Sequence, residues 1–335
     1  MENIKNTQIL LHARPKGMIE LTDFAVKTVD IPELVDGQVL IKIDYISLDP
    51  AIRGWMNAGT TYIAGVEIGA VVRAFAAGRV FASKNPNFRK GDTVTGLLGA
   101  QTYAVSDGRG IEKVNAKKKV PLSWHLGVLG MPGMTAYFGL LARGLPKAGQ
   151  TVFVSAAAGM VGSLVGQIAK MKGCRVVGSA GGAAKCAYLI NDLGFDVAID
   201  YKNEDLTDAL KTACPNGIDV FFDNVGGETL DAGLANLARG ARVVICGAVS
   251  QYNNTTAIQG PKNYLKIVSA RGTMTGIIVF DFLKKYPKAV RDISKWLKHG
   301  KLHYQEHIEE GIERFPEVLQ MLFTGDNCGK LILRV

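Results

Sequence analysis

Hydrophobic and polar positions follow different patterns in the two halves of the chain. From Gln8 to about Val120 the apolar residues form short strand-like runs, and turn sequences such as Asp36-Gly37 and Asp107-Gly108 separate them. The strands predicted there are Val39–Ile46, Ile68–Val72, Arg79–Ala82 and Thr93–Gly96. The first part of the chain is therefore predicted to be mainly β structure.

From Thr151 the pattern changes to short buried strands that alternate with amphipathic stretches. The strand segments read TVFVS, RVVG, VAID, DVFFDNVG and ARVVICG, and such alternation is typical of a parallel sheet with crossover helices. A helix is predicted at Phe280–Leu297, followed by strands at His303–Ile308 and Leu331–Val335 that return to the first part. We expect an α/β protein with a doubly wound sheet in residues 126–299 and a β domain in residues 1–125, completed by about 300–335.

Composition and charge exclude several classes of function. The chain has 335 residues, 47% of them hydrophobic, which favours two globular domains. The net charge is +9, but the only dense basic run is Lys117-Lys118-Lys119, which we interpret as a solvated loop, so no nucleic-acid partner is expected. No apolar run is long enough to predict a membrane span. The five cysteines include no CxxC pair, which favours a cytoplasmic protein without a disulfide framework.

A glycine turn follows the first strand of the α/β part. Thr151–Ser155 runs into Ala157-x-Gly159-x-x-Gly162, and the residues after it have helical apolar spacing. A strand, glycine turn and helix in this order bring backbone N–H groups and the positive end of a helix to a pyrophosphate. An ordinary turn of an unrelated α/β protein is the alternative. Later strands also end in polar or turn-forming residues, at 223–227 and 246–248, which favours a dinucleotide site.

The end of the second strand bears on which dinucleotide binds. An NAD site normally has an Asp or Glu there, which holds the ribose 2′-hydroxyl. This chain has Gly178-Ser179-Ala180-Gly181-Gly182, without a carboxylate, and Lys185 follows. We therefore predict NADPH rather than NADH, with a solvated Lys185 at a helix start as the alternative.

No zinc site is predicted. A zinc-dependent alcohol dehydrogenase needs a set of Cys, His and carboxylate ligands, and none of the five histidines lies close in sequence to a cysteine. His303-Tyr304-Gln305-Glu306-His307 fits H-x-x-E-H, which binds metal only on a helix. Its strand-like bias predicts a solvent-facing strand instead.

Motifs along nearly the whole chain resemble one family. They are SLDP with RG (47–50, 53–54), GMPGMTAY (130–137), AAAGMVGSLVGQIAK (156–170), LGFDVAIDYK (193–202), FDNVGGE (222–228), ICGAVSQYN (245–253) and GDNCGK (325–330). FDNVGGE and CG-x-x-S-x-YN are more specific than the glycine turn. With them the chain resembles the zinc-independent medium-chain dehydrogenase/reductases, in the group of prostaglandin reductases, leukotriene B4 dehydrogenases, curcumin reductases and plant alkenal double-bond reductases.

The resemblance implies a GroES-like β domain, a Rossmann domain that binds NADPH, and a homodimer formed through the Rossmann domains. It also implies a set of cofactor residues. These are Gly159, Met160, Val161 and Gly162 for the pyrophosphate, Lys185 and Tyr201 for the 2′-phosphate, and Asn224, Cys246, Gly247, Ala248, Val249, Ser250, Tyr252, Thr273, Met274, Thr275 and Asn327 elsewhere along the cofactor.

Two departures argue against prostaglandin specificity. Ala51 follows Asp49-Pro50, where prostaglandin-active members often carry an aromatic residue. The segment 254–262 carries only Pro261 and lacks the proline-rich loop of those enzymes. This loop is similar to that of the shorter, bacterial-type members.

The expected reaction is NADPH-dependent reduction of the C=C bond of α,β-unsaturated ketones and aldehydes. Hydride addition to the β-carbon leaves an enolate whose charge must be stabilised. Without a metal, tyrosine hydroxyls are suitable donors. The predicted catalytic residues are Tyr252, which matches the family tyrosine near the nicotinamide ribose, and Tyr62, which matches an active-site tyrosine of the β domain. The alternatives are a purely ribose-binding Tyr252 and a packing role for Tyr62.

Two other functions stay open at this point. An NADPH:quinone oxidoreductase shares the fold and the cofactor but reduces a quinone. A non-catalytic protein that retains NADPH is the alternative outside the enzymes, and the intact tyrosines argue against it.

Overall fold

The computed structural model describes residues 4–59, 62–114, 120–258 and 260–335. The chain forms two compact units, Met1–Gly127 with Glu306–Val335, and Val128–Gln305. The sequence placed the corresponding boundaries at 125/126 and 299/300. The predicted solvated loop at Lys117-Lys118-Lys119 lies outside the described residues.

The first unit is built mainly from antiparallel strands. Its strands are β1 (Lys5–Leu11), β2 (Phe24–Asp30), β3 (Val39–Ser47), β4 (Ala76–Ser83), β5 (Thr93–Gly96), β6 (Tyr103–Ser106), β7 (Ile111–Lys113), β14 (Glu306–Glu310) and β15 (Lys330–Arg334). β1 pairs with β2, and the main sheet has the order β14-β15-β3-β4-β5-β7 with β6 on β3. Only the β14–β15 pair of these is parallel. The helices of this unit are α1 (Ala51–Trp55), α9 (Phe315–Thr324) and 3-10 turns at Leu21–Asp23, Leu122–Leu126 and Ile312–Arg314.

The second unit has a parallel sheet covered by helices. Its strands are β8 (Thr151–Val154), β9 (Arg175–Ala180), β10 (Val197–Asp200), β11 (Ile218–Asp223), β12 (Leu237–Ile245) and β13 (Thr273–Gly276), in the order β10-β9-β8-β11-β12-β13. Its helices are α2 (Met131–Phe138), a π-helix (Gly139–Gly144), α3 (Met160–Met171), α4 (Ala183–Asn191), α5 (Leu206–Ala213), α6 (Gly227–Ala235), α7 (Lys266–Ala270), α8 (Tyr286–Lys298) and 3-10 turns at Val249–Gln251 and Val279–Lys285. This strand order is that of the Rossmann fold, so the predicted fold class is confirmed.

Helix α3 lies close to the sheet because two glycines leave room for one aromatic ring. A Cβ at Gly166 of α3 would lie 1.9 Å from Cζ of Phe195, and a Cβ at Gly178 of β9 would lie 2.7 Å from the same ring. On the same helix, Leu164 and Ile168 are fully buried, as their spacing predicted. The glycine turn at the start of α3 is thereby held against the ends of β8 and β9.

Some predicted elements differ from the structure. Ile68–Val72 is not a strand but a turn followed by an isolated bridge between Val71 and Leu10 of β1. Its backbone forms hydrogen bonds with β1 and with Ala100. The helix predicted at Phe280–Leu297 begins as a 3-10 turn and becomes α-helical at Tyr286, where Pro287 occupies the first turn. The strand predicted at His303–Ile308 begins only at Glu306. No helix in the described parts of the chain is long and apolar enough to cross a membrane.

Candidate functional site

The strand order of the second unit reverses between β8 and β11. β8 is the first strand of this unit along the chain, with β9 and β10 on one side of it and β11 to β13 on the other. In open parallel sheets the ligand binds at such a reversal, beyond the carboxyl ends of the strands. The chain leaves β8 at Ser155 and β11 at Asp223, so these ends define the candidate site.

The glycine turn is closed tightly around the carbonyl of Ala156. Ala156 has a φ of 48°, in the left-handed region, and its oxygen accepts a hydrogen bond from the Gly159 N–H at 3.0 Å. A Cβ at Gly162 would lie only 2.4 Å from that oxygen, so a side chain does not fit there. The first N–H groups of α3 lack intrahelical acceptors, as at the start of any helix. These groups and the absence of a Gly162 side chain fit a pyrophosphate.

Ala157 replaces the first glycine of the usual fingerprint, and the structure gives the reason it is tolerated. Its N–H donates to the Ser179 carbonyl at 2.9 Å, and its side chain is fully buried. A Cβ at Gly178 would lie 2.8 Å from the Ala157 methyl. The glycine on β9 therefore provides the space that an alanine in the turn needs.

Hydrogen bonds join the ends of β8 and β11. The Ser155 hydroxyl donates to Asp223 Oδ1 at 2.7 Å and accepts from the Asn224 N–H at 2.8 Å, while Asn224 Nδ2 donates to the Ser155 carbonyl at 2.7 Å. Burial raises the pKa of Asp223, and hydrogen bonds from the Val225 N–H, from Ser155 and from the Gly226 N–H oppose that rise. The network holds Asn224 at the strand reversal.

The segment 246–252 is bonded to the same edge. The Cys246 N–H donates to the Asp223 carbonyl at 2.8 Å, and the Val249 N–H donates to the Asn224 carbonyl at 3.1 Å. The Ala248 N–H donates to the Tyr252 hydroxyl oxygen at 3.3 Å, which turns the phenol back over the loop. Among the predicted cofactor residues, the structure thus brings Asn224, residues 246–250 and Tyr252 together.

The thiol of Cys246 is an unusually weak acid. Burial raises the pKa of its thiol to about 12, and the nearby Asp223 carboxylate adds to the shift. A thiol with that pKa is protonated at neutral pH, whereas the thiolate is the nucleophilic form. We therefore assign Cys246 no nucleophilic role.

A carboxylate lies at the end of β9, although the segment 178–182 contains none. Lys185 lies half-buried in the first turn of α4, and Tyr201 follows β10. A Cβ at Gly181 would lie 3.0 Å from the Tyr201 hydroxyl. The segment 178–182 has no carboxylate of its own, but Asp200 of β10 accepts from the Gly182 N–H at 2.8 Å. Sequence reasoning missed Asp200 because the pairing of β9 with β10 brings it there.

Asp200 is held by the backbone of its own turn. Hydrogen bonds from the Gly182 N–H, Asn203 Nδ2 and the Lys202 N–H lower the pKa of its carboxyl, so it is charged at neutral pH. Its oxygens are engaged with these donors, and the exposed Lys202 follows two residues later.

The other predicted cofactor residues belong to two different parts of the structure. Residues 273–275 belong to β13, the last strand of this sheet, where Thr273 is opposite Arg242 and Thr275 opposite Val244. Asn327 belongs to the first unit, in the loop before β15, and its Nδ2 donates to the Gly329 carbonyl at 3.4 Å.

Tyr62 also belongs to the first unit. Its side chain is 50% exposed, and its hydroxyl oxygen accepts a hydrogen bond from Trp55 Nε1 at 3.1 Å.

The H-x-x-E-H segment does not form a helix. The His303 N–H donates to Gln167 Oε1 at 2.6 Å in the second unit, while His307 lies on β14 of the first unit, 3.0 Å from Glu309. His303 is exposed but precedes the strand, and His307 is on the strand but half-buried, so the prediction of a solvent-facing strand was wrong for this segment. Within the described residues, no group of three or more His, Cys, Asp or Glu side chains is placed to hold a metal ion.

Comparisons with known proteins show the family to which the chain belongs. The family model described as the N-terminal domain of oxidoreductase matches residues 7–114, and the one described as zinc-binding dehydrogenase matches residues 160–295. The NADPH-dependent curcumin reductase of Escherichia coli (strain K12) is 41% identical over 99% of this chain and 97% of its own length. The 2-alkenal reductase (NADP(+)-dependent) of Nicotiana tabacum is 41% identical over 100% and 98%.

A solved structure is similar to this chain over nearly its whole length. CurA from Vibrio vulnificus in complex with NADPH has a TM-score of 0.94 and 42% identity, covering 98% of this chain and 99% of that chain. The chain therefore belongs to the medium-chain dehydrogenase/reductase family of oxidoreductases, in the zinc-independent group that includes the curcumin, alkenal and prostaglandin reductases.

Proposed function

We propose that this protein is an NADPH-dependent reductase of the C=C bond of α,β-unsaturated ketones and aldehydes. One observation carries the proposal: the glycine turn after β8 and the segment 246–252 meet at the strand reversal of a Rossmann sheet, joined through Asp223 and Asn224. Curcumin and 2-alkenals, the substrates named for two full-length relatives, both contain a conjugated C=C–C=O group.

The residues at the strand ends provide for each part of NADPH. The turn Gly159–Gly162 and the first N–H groups of α3 bind the pyrophosphate. Lys185 and Tyr201 bind the 2′-phosphate, since a cation and a phenol hydroxyl both stabilise a phosphate dianion. Asn224, residues 246–250, Tyr252, residues 273–275 and Asn327 bind the remainder, an assignment that rests on the family resemblance.

When bound, NADPH supplies the hydride for the β-carbon. The chain's own residues must then stabilise the enolate oxygen and deliver a proton to the α-carbon. Tyr252 and Tyr62 do this through their hydroxyl groups, which donate hydrogen bonds at neutral pH without ionising. The Tyr252 oxygen accepts the Ala248 N–H, so the phenol keeps one orientation over the loop.

We also propose a cytoplasmic homodimer that forms through the second unit. β13 ends the parallel sheet in the described part of the chain, and its residues are mostly exposed. Large apolar side chains are exposed near it, namely Tyr264, Leu265, Val268 and Met274. An exposed strand edge beside apolar side chains favours pairing with a second copy. The cytoplasmic location rests on the five cysteines without a CxxC pair.

The test compares substrates and cofactors on purified protein. We expect NADPH oxidation to be rapid with an aliphatic enone and slower with a simple quinone, and NADH to be a poor substitute. Faster turnover with the quinone would favour a quinone oxidoreductase instead. Tight NADPH binding without turnover on any enone or quinone would favour the non-catalytic alternative.

The cofactor preference has its own variant. Lys185→Ala should weaken NADPH binding about tenfold, which is about 1.4 kcal/mol, and leave NADH binding unchanged. The matched control is Lys172→Ala. Lys172 is an exposed lysine at the C-terminal end of α3, away from the glycine turn, and its substitution should change neither NADPH nor NADH binding. Equal NADPH affinity in Lys185→Ala and the control would contradict the assignment.

A further inference from the structure

Trp55 forms hydrogen bonds with two residues that follow it in the chain, Tyr62 and Val66. Trp55 is the last residue of α1 and is only 3% exposed, so its position is fixed by the core of the first unit. Its carbonyl accepts the Val66 N–H at 2.7 Å, and its indole Nε1 donates to the Tyr62 hydroxyl oxygen at 3.1 Å. One buried residue thus fixes the return of the loop and the position of the phenol.

The direction of the indole hydrogen bond determines what Tyr62 can do. An indole N–H is a donor only. The Tyr62 oxygen is therefore the acceptor in this bond, and its own proton is directed elsewhere. A phenol that donates a proton becomes a phenolate, which accepts the same N–H more strongly than the neutral oxygen does, because charged acceptors form stronger hydrogen bonds.

Arg73 adds a positive charge to this group. Its guanidinium lies over the Trp55 ring, with Cζ 5.9 Å from the centroid, and Nη1 donates to the Ala64 carbonyl at 2.6 Å. Burial lowers the pKa of Arg73, and its electrostatic interaction with Tyr62 opposes that shift. A positive guanidinium attracts the negative charge of a phenolate by Coulomb's law.

The loop backbone keeps these groups in place. The Gly65 N–H donates to the Gly59 carbonyl at 2.9 Å. A Cβ at Gly65 would lie 2.3 Å from the Asn57 carbonyl oxygen, so the chain passes too closely there for any side chain. Ala64, which Arg73 holds, lies two residues after Tyr62.

We propose that Trp55 and Arg73 are positioning residues that make Tyr62 the proton donor of enone reduction. The inference rests on the proposed function. In the protonation step the Tyr62 O–H bond breaks and a C–H bond forms at the α-carbon of the enolate, which becomes the saturated carbonyl compound. The resulting phenolate is stabilised by the indole N–H and the guanidinium, and it takes a proton from water before the next turnover.

The test is a double-mutant cycle between Trp55 and Tyr62 in the full-length protein. Trp55→Phe keeps an aromatic ring and removes only the N–H donor. We expect Trp55→Phe to lower kcat about tenfold, with little change in KM or in the dissociation constant of NADPH, and to increase the solvent deuterium isotope effect because protonation becomes slower. In the Tyr62→Phe background the same substitution should change kcat less than twofold.

Matched variants separate the possible failures. Trp124→Phe, a tryptophan substitution elsewhere in the first unit, should leave kcat unchanged. Arg73→Met should lower kcat in the wild-type background but not in Tyr62→Phe, which decides the question independently if Trp55→Phe does not fold. Full activity of Tyr62→Phe would overturn the assignment of Tyr62 itself. A different result would overturn only the positioning role. In it, Tyr62→Phe lowers kcat, and Trp55→Phe and Arg73→Met lower kcat by the same factor in the Tyr62→Phe background as in wild type.

Discussion

Gly162→Ala tests the fit between the glycine turn and the pyrophosphate. The added Cβ would lie 2.4 Å from the Ala156 carbonyl oxygen and 2.8 Å from Ala157 Cα. Both are backbone atoms, so the contact is relieved only if the turn or the start of α3 moves. Overpacking of this kind costs about 1–3 kcal/mol, and the higher helix propensity of alanine offsets about 0.5–1 kcal/mol of it. The net loss lies between about 0 and 2.5 kcal/mol, and its midpoint of about 1.3 kcal/mol lowers Tm by about 3–5 °C for a unit of this size.

The same displacement should weaken cofactor binding more than it weakens the fold. Moving the first N–H groups of α3 away from the pyrophosphate should reduce NADPH affinity at least about tenfold, or about 1.4 kcal/mol, measured by calorimetric titration. The matched control is Gly54→Ala in α1, where nothing lies within 4 Å of the new Cβ. It should leave Tm and NADPH affinity unchanged or slightly raise Tm. Wild-type Tm and affinity in Gly162→Ala would refute the reasoning.

Two further predictions concern stability. Lys330 is buried, and its Nζ donates to Asp49 Oδ1 at 2.8 Å. Lys330→Met should therefore lower the free energy of unfolding, measured with denaturant, by about 3–5 kcal/mol, because it leaves the Asp49 carboxylate unpaired. If the double variant with Asp49→Asn recovered none of that loss, the unpaired carboxylate would not be its cause. Asp292 accepts hydrogen bonds from Lys288 and from the Tyr137 hydroxyl, which lower its pKa, so its contribution is present above the unfolded pKa and is lost as pH falls through the lower folded value. Thermal unfolding of Asp292→Asn should therefore depend less on pH than that of wild type below about pH 4, and an identical dependence would exclude this pair as a source of acid sensitivity.

The sequence was sufficient for the features that local patterns encode. Short apolar runs predicted the parallel strands, and glycine spacing with helical apolar positions predicted the turn and α3. Both signals depend only on residues within a few positions of each other. The prediction of the strand at Thr93–Gly96 agrees with the structure to the residue.

Features that depend on packing between distant parts of the chain could not be predicted from the sequence. The left-handed conformation of Ala156 and the space that Gly178 leaves for Ala157 arise from the contact of two strands. Ile68–Val72 has the composition of a strand but forms a turn with one isolated bridge to β1, a contact between segments that lie about 60 positions apart.

The candidate site combines both kinds of information. The sequence proposes Lys185 by its charge and the segment 246–252 by its motif, and both stay predictions. The hydrogen bonds between Ser155 and Asn224 join residues 69 positions apart, and the Asp200 bond to Gly182 depends on strand pairing. Polar residues at strand ends are the signal for Ser155, but which of them meet follows only from the sheet order.

The most direct test of the proposed reaction follows the hydride itself. Purified protein is incubated with an enone and with NADPH that carries deuterium at the transferred position of C4, and the product is examined by NMR. The account predicts deuterium at the β-carbon of a saturated ketone and a solvent-derived hydrogen at the α-carbon. Deuterium at the carbonyl carbon of an unsaturated alcohol, or none in the product, would contradict it.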